Sequence, residues 1–278
     1  MKKKHLKDKS RIFTLISIFI ILFIGNVSAK KTIDVFDITT EVQVVNDISP
    51  NQAKKIALNE AKIEALREAG IGESVSSQEL LFKSEINNDF TDFFSSSTQI
   101  EIKGAVQSYE ITSEKLYCRA QTEGIYYSIT INAKVVKYSS SADPAFDAKI
   151  EGVNPIYLHN TNLKFSLRST LDCHLLIFSI GDKETSLLFP SLYEESFEIK
   201  ALEEYKFPIS KINYTMFLDS GNMETNRLVF LFTKKKLNYI NVKKGGLTSR
   251  EDLFSFIYSI PPDVRKIEYL TYIITKPK

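Results

Sequence analysis

The chain has 278 residues, 43% hydrophobic and 12% aromatic, with 19 Phe, 13 Tyr and no Trp. That composition fills one large globular core or two ordinary ones and leans towards β structure. Two cysteines, Cys118 and Cys173, are too few for a disulfide scaffold, and a formal charge of +2 is no signature of a polyanion binder.

The first elements are a basic start, an apolar run and a small-residue exit. Six of the first eleven residues are Lys or Arg, Ile12 to Gly25 is almost purely apolar, and Val27-Ser28-Ala29 follows. This reads as a secretory signal over residues 1–29, cleaved after Ala29, because the apolar stretch is shorter than the roughly 20 residues of a spanning helix. An uncleaved anchor is the alternative. No Cys follows the run, which disfavours a lipid anchor. Residues 1–29 carry six basic residues and one acid, so the chain beyond Ala29 has a net charge near −3. Nucleic acid is therefore not expected as a partner.

Residues 32–45 are rich in β-branched side chains and predict two short strands or one bent one. Ser49-Pro50-Asn51-Gln52 is a capping box with Pro at the first helical position. It opens a helix running to about Ala69 and stopped by Gly70. Ala57, Ala61, Ala65 and Ala69 recur every four residues, a row that lets a helix lie close on a sheet. Ile56 and Ile63 fall outside that row and suggest contact on a second side. Residues 74–97 give no clean period, and a short helix plus loop is expected. From Ile100 alternation returns, and it slips after Ser108 as a bulge would produce. Leu116, Cys118 and Ala120 share one phase and are expected to face a core. Thr122-Glu123-Gly124 reads as a turn, and Ile125 to Val136 alternate as the clearest strand of the first half. Three antiparallel strands under one helix make an α+β layer over residues 30–138.

Residues 139–153, with three serines and a Pro, read as a linker; a long surface loop within one domain is the alternative. Residues 154–278 then give strand after strand. Asn162 to Arg168 is one. Leu171 to Ile180 and Thr185 to Pro190 form a hairpin. Short arms follow around Ile199, Phe207 and Tyr214. Leu228 to Phe232 is continuously apolar and is expected to be buried on both faces. Thr248-Ser249-Arg250-Glu251 reads as a second capping box, opening a helix that Pro261-Pro262 ends, and Lys266 to Thr275 closes as a strand. The expected fold class is α+β, with the second half sandwich-like.

Asp172, Cys173 and His174 set an acid, a thiol and an imidazole side by side. On a strand, neighbours point to opposite faces. Cys173 then joins Leu175 and Ile177 in the core, where a thiol is inert, and Asp172 and His174 face the other way without a nucleophile. Cys118 is read the same way. A Cys118–Cys173 disulfide is a minor alternative, since the two are expected in separate cores. His159 and His174 stand at no metal-ligand spacing. No hydrolase elbow, phosphate loop or dinucleotide fingerprint occurs. Accordingly no catalytic, cofactor-binding or metal-binding residue is assigned, and no cofactor is expected. Thr233 to Gly246 is the most basic stretch beyond the signal. It reads as a solvated hairpin or loop, or as a contact with an anionic lipid or glycan. Tyr126, opposite the core phase of its strand, is a candidate contact.

Two resemblances rest on particular segments. "LKFSLRSTLDCHLLIFSIGDKETSLLFPSLYEES", "ALEEYKFP" and "NRLVFLFTKKK" resemble the bacterial domain of unknown function 4384 family over roughly Asn160 to Lys278. Ser191 departs from the family's Asn after Leu-Phe-Pro, and Met223 from its Gly. The resemblance implies a surface or envelope accessory module with no catalytic residues to carry over. "QAKKIALNEAKIEALREAG", "KGAVQSYEI" and "YYSITINAKVV" are similar to the N-terminal domain of flagellar assembly protein T and related envelope lipoproteins, over roughly Lys31 to Tyr138. That similarity implies a periplasmic structural or adaptor role. The sequence thus points to an exported, periplasmic or secreted, non-enzymatic adaptor or binding module. An envelope protein or glycan is the suspected partner, and no membrane-spanning segment is expected after cleavage. A secreted hydrolase acting on peptide or glycan, or a structural spacer in an envelope assembly, are the alternatives.

Overall fold

A computed structural model describes residues 30–45, 48–87, 102–119, 124–181, 185–209, 211–218, 221–237 and 247–277. The expected signal, residues 88–101 with their three phenylalanines, the turn before Gly124, and the basic stretch from residue 238 to 246 lie outside them. The fold is α+β and mostly sheet.

β1 (Lys30–Val44), β2 (Gly104–Arg119) and β3 (Gly124–Tyr138) form an antiparallel sheet in the order β1-β3-β2. β1 is one bent strand: its pairing with β3 shifts between Val35 and Ile38, beside Asp37 at φ 57°. β2 shifts register twice, between Val106 and Ser108 and between Ile111 and Ser113. The first is the slip legible in the sequence, and the second was not anticipated. α1 (Pro50–Glu68) starts with the expected capping box, Ser49 accepting from the Gln52 N–H and Gln52 from the Ser49 N–H. At its end Gly70 adopts φ 69°, and the N–H groups of Gly70 and Ile71 reach back to the carbonyls of Arg67 and Leu66. That is the hydrogen-bond pattern of a left-handed glycine cap. Ala53, Ala57, Ala61 and Ala65 are fully buried against Tyr127, Ile129, Ile131, Ala133 and Val135 of β3. The row is close enough for the Thr40 hydroxyl to donate to the Ala57 carbonyl at 2.6 Å. α2 (Gly72–Asn87) is the helix of the ambiguous segment, longer than expected.

The second half holds a larger sheet, β14 (Leu247–Thr248), β9 (Thr185–Phe189), β8 (Cys173–Ile180), β13 (Met223–Thr233), β15 (Arg265–Thr275) and β5 (Ile156–Leu158) in that order, with β10 (Glu198–Ile199) also on β8. The hairpin of β8 and β9 stands as expected, while β5 joins β15 in parallel. Residues 228–232 of β13 are all completely buried, because both faces of the sheet are covered. On one face Leu175, Ile177, Leu228, Phe230 and Phe232 share a core with Phe165, Leu167, Phe207 and Leu163. Those come from a three-stranded sheet, β11 (Tyr205–Phe207), β7 (Phe165–Ser169) and β4 (Ala148–Glu151), and a two-stranded one, β12 (Tyr214–Thr215) and β6 (Asn162–Leu163). On the other face Leu176, Phe178, Val229 and Leu231 pack with Leu253, Phe254 and Ile257 of α3 (Arg250–Tyr258). Leu81 of α2, Ile102 and Ala105 enter the same core. The cap of α3 is Ser249, which accepts from the Asp252 N–H at 3.0 Å. This corrects the expected cap at Thr248 by one residue, because Thr248 is still paired in β14.

Residues 139–153, expected as a linker, carry β4 and bury Phe146 in the second-half core. Asp143 pairs with Lys234, and Asp147 with Lys266 at 2.9 Å.

Candidate functional site

The strand pleat decides the fate of Asp172, Cys173 and His174. Cys173 is 1% exposed, in one core with Leu175 and Ile177, and pairs with Ile199 across β10. Burial pushes its thiol pKa up, with a hydrogen bond to Ser169 opposing. Such a thiol is a poor nucleophile. Asp172 precedes the strand. One of its oxygens accepts the Ala201 N–H at 2.8 Å and the other the Lys200 ammonium at 3.1 Å. These two contacts, the backbone one first, hold its carboxyl below the usual range. His174 lies between Glu198 and Thr233 in register, and its Nδ1 is buried without a hydrogen-bond partner among the described residues. The three adjacent groups thus have three separate environments. His159 accepts the Leu218 N–H on Nδ1 at 3.0 Å and packs edge-on against Phe217, where it fixes local backbone.

Cys118 corrects the expectation. It is exposed, and Leu116 is 52% exposed. Their cross-strand partners are Ile125 and Tyr127, so they lie on the face that carries α1. But α1 covers chiefly β1 and β3. It reaches β2 through Lys54, which pairs with Glu114 at 2.7 Å, and Lys62, 4.3 Å over the Tyr109 ring. Tyr109, Ile111, Leu116 and Ile125 are therefore left open. One signal of this was in the sequence: Glu114 shares the phase of Leu116 and Cys118, and an acid there argues against a closed core.

β2 is also an edge strand, paired only with β3 among the described residues. Its start is covered: the Ser255 hydroxyl of α3 donates to the Val106 carbonyl at 3.1 Å. Beyond that point, from Ser108 to Arg119, the edge is unpaired among the described residues. Where it leaves α3 a cleft of about 420 Å³ opens, lined by Gln107, Ser108, Tyr109, Gln78, Asp252 and Phe256 among others. Lys62 bridges its wall to Glu251 at 2.5 Å. The two bulges bend the strand and leave two regular runs, residues 108–111 and 113–119, which blunts open-ended sheet pairing while leaving short segments able to pair.

On the opposite face, Tyr126 is half-buried rather than free. It stacks on Tyr117 with centroids 6.0 Å apart, and the Arg119 guanidinium lies 4.4 Å over its ring. Tyr117 donates to Glu41 at 2.6 Å, and Arg119 pairs with the same carboxylate. Tyr117 first, then Arg119, hold Glu41 below the usual carboxylate range against desolvation. This cluster stiffens the far end of β2. Among the described residues no group of three His, Cys, Asp or Glu is placed to hold a metal ion, and no helix is long and apolar enough to cross a membrane. No protein-family model matches the chain, and no curated protein matches it.

Proposed function

We propose that the protein is an exported, non-enzymatic adaptor of the bacterial cell envelope that captures an extended segment of a protein partner along the edge of β2. The observation that carries this is the edge from Ser108 to Arg119, with Tyr109, Ile111 and Leu116 exposed at 42%, 37% and 52% beside it. Backbone pairing would supply affinity and the apolar side chains selectivity, the mode of strand addition. The Tyr117–Arg119–Glu41 cluster stiffens the far end of the strand, and the cleft at Tyr109 receives the end of the added segment.

The basic start and apolar run of residues 1–29 support export to the periplasm or beyond, and the two resemblances support an envelope accessory role. The division into residues 30–138 and 154–278 belongs to this reading, with the core around Phe254 joining them. So does a sandwich-like second half, supported by the core that Phe165, Phe207 and Phe230 share across two sheets. A hydrolase is disfavoured by the buried thiol and by the engagement of both Asp172 oxygens.

The test places a photo-crosslinking residue at Leu116 and, as control, at Glu73 on α2. The adaptor reading expects a defined envelope protein joined at 116 alone, and loss of that adduct when Tyr109→Asp or Ser113→Pro is added in a chain of unchanged melting temperature. Equal adducts at both positions, or adducts indifferent to those substitutions, would refute it.

A further inference from the structure

A second surface, independent of the β2 edge, carries a different chemistry. The chain beyond Ala29 is net negative, yet a cleft of about 610 Å³ on the small sheet of β4, β7 and β11 gathers Lys164, Lys206 and Lys211. Among the described residues none of the three ammonium groups has an ion-pair or hydrogen-bond partner. Several lysines elsewhere are neutralised: Lys54 by Glu114, Lys200 by Asp172 and Glu198, Lys234 by Asp143, Lys266 by Asp147. The one carboxylate lining the cleft, Glu151, is taken by Lys149. Three lysines without a counter-charge thus meet in one open cleft.

The support beneath the cleft is rigid. Phe165 and Phe207, buried in the core, stack 5.1 Å apart and nearly parallel, and are braced edge-on by Phe230 and Phe189. Pro208 and Ile212 complete that side. Gly152, at φ 90°, turns the chain at the rim, 3.4 Å from the Phe165 backbone as measured from where a Cβ would stand. A side chain at that φ is strained. Polar Ser166 and Asn213 also line the cleft.

We infer that this cleft binds an acidic sugar unit of an envelope glycan: its carboxylate or phosphate meets Lys164, Lys206 and Lys211, and its ring lies on Pro208 and Ile212. A volume of this order suits a discrete ligand. Three ammonium groups meeting at one open cleft, with Glu151 already paired, favour a single discrete anionic unit over an extended lipid surface. With the β2 edge holding a protein segment, the two surfaces would join protein to glycan.

The test is calorimetric binding of tetragalacturonate to the protein, with maltotetraose as the neutral counterpart and phosphatidylglycerol vesicles as the lipid arm. Tetragalacturonate is expected to bind, maltotetraose to bind at least tenfold more weakly, and vesicles not to compete. Lys206→Glu and Lys164→Glu should each weaken binding about tenfold or more, the scale of one charge-assisted contact. The exposed Lys83→Glu on α2 should leave it unchanged. Affinity should also fall at about 0.5 M salt, where the screening length is about 4 Å. Lys206→Gln and Lys164→Gln, with circular dichroism of each, give the same reading should a charge reversal unfold the chain. No binding of tetragalacturonate, equal binding of maltotetraose, indifference to the lysine substitutions, or binding of the vesicles alone would each overturn the assignment.

Discussion

The Arg265 guanidinium donates to the backbone carbonyl of Ile102 at 2.5 Å, across 163 residues of chain. The same side chain donates to the carbonyls of Ile257, at 2.8 Å, and Ile260 at the end of α3. It lies 5.7 Å over the Tyr258 ring. One buried cation therefore satisfies the end of a helix and ties the entry to β2 against it. The adaptor reading depends on that tie, because the covered start of β2 sets where its free edge begins.

Replacing Arg265 with Ala takes the guanidinium from the Ile102 and Ile260 carbonyls, while Ile257 keeps the Ile260 N–H at 3.2 Å. Each unsatisfied group costs about 1–3 kcal/mol, so a loss of about 2–4 kcal/mol is expected in urea unfolding. Arg265→Lys keeps the charge but cannot span the three carbonyls with one planar fork. It should recover only part of the loss. A change below about 0.5 kcal/mol for Ala would show that water replaces the guanidinium.

The two cysteines should separate cleanly by reactivity. Cys118 is exposed and Cys173 is buried among aliphatic side chains with its thiol pKa raised. One equivalent of iodoacetamide should be taken up by the folded protein at neutral pH, mapped by mass spectrometry to Cys118. The second should enter only with denaturant. Rapid labelling of Cys173 in the folded chain would reopen the hydrolase alternative. A Cys118–Cys173 bridge is incompatible with one exposed edge and one closed core.

How much of this was legible beforehand varied with the range of the interaction involved. The capping box at Ser49, the stop at Gly70 and the alanine row follow from contacts within a few residues, and all stand in the structure. The run from Leu228 to Phe232 was legible because only a strand covered on both sides tolerates five successive apolar residues. Cys118 was misplaced because period alone names a face, not whether anything covers it. Cover depends on the width of α1, which small alanine side chains bring close to β3 and keep short of β2. The parallel pairing of β5 with β15 and the lysine cleft had no local signal. Lys164, Lys206 and Lys211 meet only because β7 and β11 pair, Ser166 opposite Lys206.

Acid should weaken the attachment of residues 139–153. The Lys266 ammonium beside Asp147 holds its carboxyl below the usual range, against desolvation. The unfolded value is about 3.9. A depressed folded value means that stability is gained above the unfolded pKa and lost as pH falls through the folded one. Asp147→Asn should thus cost no more than about 1 kcal/mol at pH 7, since the pair is partly exposed. The difference from wild type should close as the pH falls below 4. A gap that stays constant with pH would mean that the hydrogen bond, not the charge, matters.

The alanine row gives the last prediction, and it concerns the surface that function needs. Ala61 is fully buried between α1 and β3. Ala61→Leu inserts three carbons where the helix lies close on the sheet, and overpacking of this kind costs about 1–3 kcal/mol. The helix must rise or tilt to admit them. Lys62, the next residue, reaches over Tyr109 and pairs with Glu251, so the displacement is transmitted to the cleft at the root of the β2 edge. Ala61→Leu should therefore lower the melting temperature and also weaken crosslinking at position 116. Ala61→Gly, which removes volume and helix propensity without pushing on the sheet, should lower stability by about 1 kcal/mol and leave crosslinking intact. Equal crosslinking losses in both variants would trace the effect to general destabilisation instead of to the seating of α1 against β2.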